Sequence, residues 1–252
     1  MCPNWEDRLG GFALALPTLV AERDMQRRME SKFVMPVWAA EALLPALADD
    51  YAALPAGAAL VAAYRSLYFD TCDLDLFHAH RRGRRIRQKV RIRHYPDRRL
   101  SFLEVKLRIG DGVTSKVRRQ RAYGDNPLST DERRFVHAYC AVRQELLPQA
   151  WVDYRRITLL GTRTAERVTI DFDLVVARGP RGGRLQDVAV VEVKQVRLDR
   201  STAAMRALRE AGWRTGWASK YCAAIALTSP EVRAHRLLEG LRGLKAVGAW
   251  AN

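Results

Sequence analysis

A chain of 252 residues with 48% hydrophobic residues can enclose one large core or two small ones, which excludes a disordered or fibrous class. Its formal net charge of +15, carried mostly by arginine, excludes indifference to anions and calls for nucleic acid, an anionic membrane or a phosphate-rich small molecule. The four cysteines, Cys2, Cys72, Cys140 and Cys222, are too far apart in sequence for zinc-finger or redox spacing, so a reducing cytoplasm is the expected setting.

The apolar run from Gly11 to Val20 is too short to span a membrane and follows Glu6 and Asp7. Residues 1–25 are therefore expected to be a peripheral amphipathic extension. A strand is predicted over 27–35, then a helix over 36–49 that Pro45 kinks or splits. Further strands are predicted over 61–69, 84–95, 100–109, 113–123, 151–160, 163–176 and 188–196, with a helical turn over 73–80. Pro96-Asp97 and Gly110-Asp111-Gly112 read as hairpin turns, and the run Gly179-Pro180-Arg181-Gly182-Gly183 as another turn. Ser129, with Glu132 three residues later, makes a capping box for a helix reaching about residue 147. Helices are predicted over 202–211, 219–227 and 230–244. No linker divides the chain, so the expectation is one α+β domain over 26–228 and a C-terminal helix within 229–252.

The most informative stretch alternates with period two. Arg85, Arg87, Lys89, Arg91 and Arg93 occupy one face of a strand, and Ile86, Gln88, Val90, Ile92 and His94 the other. Like charges so close repel unless something neutralises them, and a long polyanion is the natural guest. The design recurs. Glu104, Lys106 and Arg108 alternate with Leu103, Val105 and Leu107. Lys116 and Arg118 flank Val117, and Arg167, Thr169, Asp171 and Asp173 alternate with Val168, Ile170 and Phe172. Glu192 and Lys194 alternate with Val191 and Val193. An open sheet would leave these charged faces in water. A closed antiparallel barrel of about eight strands would turn them inward to line a basic lumen, with its outer apolar faces covered by helices. Arg91, Arg93, Lys106, Arg167, Glu192 and Lys194 are then expected in one cavity, with Val90, Ile92, Val105, Val168, Val191 and Val193 facing outward.

Three predicted strands carry Glu-x-Lys: Glu30 with Lys32, Glu104 with Lys106, and Glu192 with Lys194. Spacing of two puts acid and base on one face. On an exposed sheet these would be cross-strand ion pairs. In a lumen the carboxylates would suit a hard divalent cation and the ammonium groups phosphate oxygens. A P-loop, a Rossmann fingerprint and a Ser-His-Asp or Cys-His nucleophile are all absent from the sequence. His78-Ala79-His80 lacks the usual spacing of a helical metal-ligand pair. Aromatic residues do not interleave with the basic strand, which weakens a base-stacking nucleic-acid surface.

These motifs, in this order, resemble the VTC domain, the polyphosphate polymerase branch of the CYTH-like triphosphate tunnel metalloenzymes. The resemblance covers about residues 28–221. It rests on Arg28-Met29-Glu30-Ser31-Lys32, Ser66-Leu67-Tyr68-Phe69-Asp70-Thr71, Val90-Arg91-Ile92-Arg93-His94-Tyr95 and Phe102-Leu103-Glu104-Val105-Lys106. It continues through Tyr154-Arg155-Arg156, Arg167-Val168-Thr169-Ile170-Asp171, Val191-Glu192-Val193-Lys194 and Ser219-Lys220-Tyr221. The resemblance implies a closed tunnel in which Lys32, Arg91, Arg93, Lys106, Lys116, Arg156, Arg167, Lys194 and Lys220 bind a triphosphate, with Tyr154 donating a hydrogen bond nearby. It leaves either Lys116 or Arg118 as the phosphate ligand on its strand. It makes Glu192 the main ligand of Mn2+ or Mg2+, with Glu30 and Glu104 as partners. Arg85, Arg87 and Lys89 exceed the motif and are assigned to a tunnel mouth where product leaves. The implied partners are ATP and inorganic polyphosphate rather than nucleic acid; a membrane-protein partner is not legible in the chain. Three functions remain in view: an ATP-dependent polyphosphate polymerase, a tripolyphosphatase or nucleoside or RNA triphosphatase using water in the same tunnel, and a non-enzymatic polyanion-binding module.

Overall fold

The computed structural model describes residues 4–23, 28–109, 113–124, 127–216 and 219–232. The C-terminal helix expected from residue 230 falls, after its first three residues, outside the described residues, as does the Gly110-Asp111-Gly112 turn.

Helix α1 (Trp5–Leu9), strand β1 (Ala13–Leu14) and helix α2 (Pro17–Glu22) lead into β2 (Met29–Met35). Helix α3 (Val37–Ala42) and a 3-10 turn (Leu44–Leu47) follow, dividing the expected helix where Pro45 removes an amide donor. Next come β3 (Tyr51–Ala53), β4 (Val61–Asp70), α4 (Asp75–Arg81), β5 (Arg87–Tyr95), β6 (Leu100–Ile109) and β7 (Val113–Arg121). Helix α5 (Thr130–Tyr139) precedes the long hairpin of β8 (Leu147–Gly161) and β9 (Glu166–Arg178). Strands β10 (Arg181–Leu185) and β11 (Ala189–Gln195) and helices α6 (Ala203–Glu210) and α7 (Lys220–Thr228) complete the order.

Several elements differ from the sequence expectation. The capping box of α5 is present, but the helix stops at Tyr139 rather than near residue 147. The buried Gln88 carboxamide ends it, donating to the Tyr139 carbonyl at 2.7 Å and accepting from the Ala141 amide at 2.8 Å. Strands β1 and β3 were not foreseen, because two or three residues are too few to show a period. After the turn at Gly179-Pro180, residues 181–185 return as β10 along β9, where glycine at 182 and 183 disguised a strand. Gly182 has a physical reason, since a Cβ there would lie 2.8 Å from the Val176 carbonyl.

All eleven described strands join in one sheet, whose main path runs β2-β11-β9-β8-β4-β5-β6-β7. Every neighbouring pair along that path is antiparallel. The path curls strongly into a half-barrel. The closed barrel expected from the sequence needs a ladder between the terminal strands β2 and β7, and no such ladder occurs among the described residues. Side chains span the gap instead. Lys106 Nζ on β6 lies 3.0 Å from both carboxylate oxygens of Glu30 on β2. The Gly216 amide also donates to the Lys32 carbonyl at 2.8 Å, engaging the outer edge of β2.

The convex face is apolar, as the alternation required. Val90, Ile92, Leu103 and Val105 pack with Leu128, Val136 and Cys140 around α5. Val168, Ile170, Val191 and Val193 pack with Ala204, Met205 and Leu208 of α6, Ala39 and Ala40 of α3, and Trp5 and Leu9 of α1. The concave face is polar only in part. A bulge opposite Tyr154 puts Asp173 at φ 51° and switches the parity of β9 beyond it. Asp173 therefore leaves the polar row and pairs with Arg184, while Leu174 and Val176 join Ala150 and Val152 in an apolar patch. Helix α7 fills that patch with Tyr221, Cys222 and Ile225, backed by Leu74 and Phe77 beside α4. So one end of the trough is plugged from inside by a helix, an arrangement that strand periodicity alone does not foretell.

Asp70 fastens the plug. Its fully buried carboxylate accepts the Thr71, Leu76 and Phe77 amides, each at 2.8 Å, and the Tyr221 hydroxyl at 2.5 Å. Asp70→Ala would leave three amides and a hydroxyl without an acceptor, at a cost of about 3–5 kcal/mol. We expect the melting temperature to fall by roughly 6–15 °C in thermal unfolding. A shift of less than about 2 °C would contradict this account of the plug.

Candidate functional site: a cationic cage in the half-barrel

Strand alternation delivers one side chain to the trough every second residue, roughly 6.6 Å apart along a strand. Strand β5 supplies Arg87, Lys89, Arg91, Arg93 and Tyr95, and the paired β6 supplies Arg108, Lys106, Glu104 and Phe102 in the opposite direction. Lys116 and Arg118 come from β7, Tyr64 and Tyr68 from β4, and Tyr154 and Arg156 from β8. Arg167 comes from β9, Glu192 and Lys194 from β11, Glu30 and Lys32 from β2, and Lys220 from the first turn of α7. All of these except Glu104, Phe102, Arg87 and Arg108 line one interior cavity of about 220 Å³. Arg91, Arg93, Lys106, Arg167, Glu192 and Lys194 thus meet in it, while their apolar neighbours lie in the outer clusters. Arg87 lies beyond, in an adjoining cavity that Lys89 shares, and Arg85 precedes β5 and is exposed.

Four carboxylates punctuate the cage, each held by cations. Glu104, with a side chain 1% exposed, accepts from Arg91 at 2.5 Å and stands 3.5 Å from Lys116. Asp171, fully buried, receives Arg156 at 2.5 Å and also the Lys220 ammonium. Glu192 is 2.8 Å from Lys32 and 3.3 Å from Lys194. Glu30 is 3.0 Å from Lys106, 3.2 Å from Arg28 and 3.5 Å from Lys32. Burial alone would raise these acids. For Glu104 it is outweighed by Arg91, Arg93 and Lys116, for Asp171 by Arg156 and Lys220, and for Glu192 by Lys194, Lys32 and Lys106. For Glu30, burial and the nearby Glu192 are outweighed by Lys106, Lys32 and Lys194. All four are held below the ordinary carboxylate range and carry charge at neutral pH.

The cations are less comfortable. Burial pushes Lys194 down to about 7 although Glu192 pulls the other way. Lys89 also falls to about 7, by burial and by the neighbouring Lys32, Lys106 and Arg91. Burial lowers Lys106, Lys116 and Lys220 as well. Lys32 is the exception among these lysines, raised above its ordinary value because Glu192 and Glu30 outweigh its burial, and Arg91 and Arg156 are raised likewise by Glu104 and Asp171. The cage therefore holds more positive charge than its own acids neutralise, in a place where water screens poorly. An anion with several closely spaced negative oxygens would relieve that imbalance.

Tyrosines complete the walls. Arg93 donates to the Tyr154 hydroxyl at 2.9 Å, and Arg91 to the Tyr68 hydroxyl at 3.1 Å. Tyr64 stacks on Tyr154 with ring centroids 5.1 Å apart, and the Arg156 guanidinium lies 4.8 Å from the Tyr64 ring. Neither Tyr64, Tyr68 nor Asp171 stood among the residues assigned from sequence. Asp171 had a legible signal, since it shares parity with Arg167 on an alternating strand. Tyr68 alternates with Leu67 and Phe69 and shares its face with Ser66 and Asp70, but no alternating row of charge marked it or Tyr64 as a partner for arginine.

Divalent-metal chemistry can be tested on this donor set. Among the described residues no three His, Cys, Asp or Glu side chains converge as a ligand group. Glu30 and Glu192 do converge on the single ammonium of Lys32, and such a pair fits a hard ion that takes its remaining ligands from phosphate and water. Glu104 is not gathered with them and is engaged by Arg91, Arg93 and Lys116. His78 and His80 form no such pair: His80 Nε2 lies 3.1 Å from the Gln88 carbonyl, and burial beside Lys89 and Arg87 pushes its pKa down to about 2.

A family profile for the VTC domain matches residues 27–229. No curated protein matches the chain. Among solved structures, one similar fold is a putative adenylyl cyclase from Hippeastrum described as having a dominant triphosphatase activity. It is 18% identical, with a TM-score of 0.48, over 79% of this chain and 95% of that one. A putative adenylate cyclase from Bacillus halodurans is 12% identical, with a TM-score of 0.48, over 77% and 96%. The PH1819 protein from Pyrococcus horikoshii is 12% identical, with a TM-score of 0.44, over 78% and 98%. No helix among the described residues is long and apolar enough to cross a membrane.

The lysine shifts have a sign that can be measured. Lys89 and Lys194 titrate near 7 in the fold against about 10.4 when unfolded, so the unfolded chain binds more protons between those values. The anion-free protein should gain stability as pH rises through that window, and the penalty should be fully present below about 7. Melting temperatures at constant ionic strength should rise from pH 6.5 to pH 9, and Lys89→Met should flatten the rise. Equal slopes for parent and variant would contradict the assignment of Lys89 to an anion-hungry interior.

Proposed function

This chain belongs to the VTC domain family, and on that premise we propose that it is an ATP-dependent polyphosphate polymerase. The observation that carries the reading is the cationic row of β5. Arg87, Lys89, Arg91 and Arg93 span seven residues, a rise of roughly 20 Å, and a triphosphate covers less than half of that length. Such a row suits a polymer better than a single triphosphate, which favours the polymerase over the triphosphatase using the same residues. Glu30 and Glu192, which converge on Lys32 as a pair that suits a hard cation, favour both over a purely binding module.

In this reading the triphosphate of ATP lies among Lys32, Arg91, Arg93, Lys106, Arg156, Arg167, Lys194 and Lys220, with Lys116 and Arg118 beside them on β7 and Lys89 and Arg87 further along the β5 row. Mn2+ or Mg2+, held by Glu192 and Glu30, would supply charge neutralisation between phosphate oxygens. Arg91 and Arg93, fixed by Glu104, Tyr68 and Tyr154, donate planar N–H groups to the transferring phosphoryl group. A terminal oxygen of phosphate or polyphosphate attacks the γ-phosphorus, and the bond to the β,γ-bridging oxygen breaks. ADP leaves with that electron pair. The nucleophile is already ionised, so no general base is required. Rate enhancement comes from alignment and from cations preorganised where charge develops.

The direct test is to incubate the purified protein with ATP and Mn2+ or Mg2+ and resolve the products by size. Long acid-labile phosphate chains are expected, and free phosphate alone would assign the triphosphatase. Two variants divide the labour. Glu192→Gln should abolish metal-dependent turnover yet leave metal-free polyphosphate binding intact or tighter, because the cage becomes more positive. Arg91→Ala should weaken polyphosphate binding roughly ten- to hundredfold as well as lowering turnover. Full turnover by Glu192→Gln, or parental affinity in Arg91→Ala, would contradict these roles.

A further inference from the structure

Four residues stand in register across four strands on one wall of the trough. Lys32 on β2 faces Glu192 on β11, Glu192 faces Thr169 on β9, and Thr169 faces Thr158 on β8. Thr169 shares the parity of Arg167 and Asp171, while Val168 and Ile170 turn outward into the apolar cluster. Its side chain is therefore on the trough side of the sheet. Thr169 is 1% exposed, and its hydroxyl has no hydrogen-bond partner among the described residues. Residues directly opposite on antiparallel strands hold their Cβ atoms about 4.5–5.5 Å apart, so a Thr hydroxyl is within reach of a Glu carboxylate in register with it. Glu192 instead gives Oε1 to the Lys32 ammonium at 2.8 Å and Oε2 to that of Lys194 at 3.3 Å.

The fold itself has no need of this hydroxyl. Valine has the same branched shape, suits a strand at least as well and buries no polar atom. A buried hydroxyl left unpaired costs stability, and its presence calls for a second state of the site in which it is used.

The chemistry of the cage supplies that state. Once phosphate oxygens enter, Lys32 and Lys194 gain partners other than Glu192. A carboxylate that turns from ammonium groups to a hard cation still has an oxygen in need of a donor, and metal-ligating carboxylates are held by hydrogen bonds from outside the coordination sphere. We propose that Thr169 is a positioning residue for the divalent ion: its hydroxyl takes the Glu192 carboxylate when Lys32 and Lys194 release that carboxylate to the ion. This rests on the reading of Glu192 as a metal ligand given above. It gives β9 a part in ion binding beside the Arg167 and Asp171 that it brings to the cage.

The test measures Mn2+ binding by electron paramagnetic resonance, with the protein carrying one equivalent of the β,γ-imido analogue of ATP, which does not transfer its γ-phosphoryl group. Thr169→Val should weaken Mn2+ binding roughly tenfold or more, with metal-free binding of the analogue within about twofold of the parent. The melting temperature of the ligand-free variant should be unchanged or higher, because an unpaired polar group is gone. Thr169→Ser, which keeps the hydroxyl, should restore Mn2+ affinity to within about threefold. Thr169→Ala is the second variant should the valine not fold. Ser66→Ala is the control: Ser66 is also buried with an unpartnered hydroxyl, but it lies on β4 between Tyr64 and Tyr68, and its loss should leave Mn2+ affinity within about twofold. Parental Mn2+ affinity in Thr169→Val, or an equal loss in Ser66→Ala, would overturn the role of Thr169 while leaving Glu192 as a ligand. Failure of the parent to bind Mn2+ would remove the ion site, and the role of Thr169 with it.

Discussion

Repulsion among enclosed cations is the constraint on which the rest of the molecule turns. Neighbours in the β5 row stand roughly 6.6 Å apart, and at an effective dielectric of about 20 each pair of unit charges costs about 2–3 kcal/mol. No folded chain gathers such a row without compensation. Part of it comes from Glu30, Glu104, Asp171 and Glu192, which sit between the cations and stay ionised. Part comes from Tyr64, Tyr68 and Tyr154, whose hydroxyls and ring faces meet guanidinium groups. Burial, and then the cations left over, hold Lys89 down near 7, and burial does the same to Lys194 against the pull of Glu192.

That residual strain requires a firm frame, and the frame is the other parity of the same strands. Val90, Ile92, Leu103 and Val105 are essentially fully buried under α5, and Val168, Ile170, Val191 and Val193 under α1, α3 and α6. Hydrophobic burial outside thus holds the electrostatic load inside, and a register slip of one residue would exchange the two. The internal plug by α7 couples both. Tyr221 ties the helix to Asp70 and stacks on Tyr68, while the adjacent Lys220 reaches Asp171 across the trough. A structural anchor and a cavity-lining cation therefore occupy consecutive residues of one helix.

Much of this was legible in the sequence. Period-two alternation in 87–95, 100–108 and 167–171 marked which residues face the trough, because parity is decided locally. The family resemblance assigned the cationic residues that line the central cavity. Barrel closure was not legible, because it depends on pairing between strands β2 and β7 that are distant in sequence; among the described residues no ladder joins them, and Lys106 meets Glu30 there. The bulge at Asp173 escaped because an acid on an alternating strand looks like the next polar residue, yet its left-handed backbone turns it out to Arg184. The end of α5 escaped because it is set by Gln88, fifty-one residues away from Tyr139, on a face that looked merely apolar. Asp171 was read as one polar residue among several, and its role as the acid between Arg156 and Lys220 appears only once α7 is in place.

The central claim is that this half-barrel is a cage for linked phosphates rather than a generally basic surface. Thermal unfolding at fixed ionic strength tests it most directly, with inorganic tripolyphosphate compared against orthophosphate and sulfate at equal charge concentration. A ligand held only by the folded cage raises the unfolding free energy with the logarithm of its concentration. The account predicts a steep, saturating rise in melting temperature with tripolyphosphate, little effect of the single anions, and loss of the rise when Arg93 and Lys106 are replaced together by Gln. Equal stabilisation by all three anions, or a response to tripolyphosphate that survives that double replacement, would contradict it.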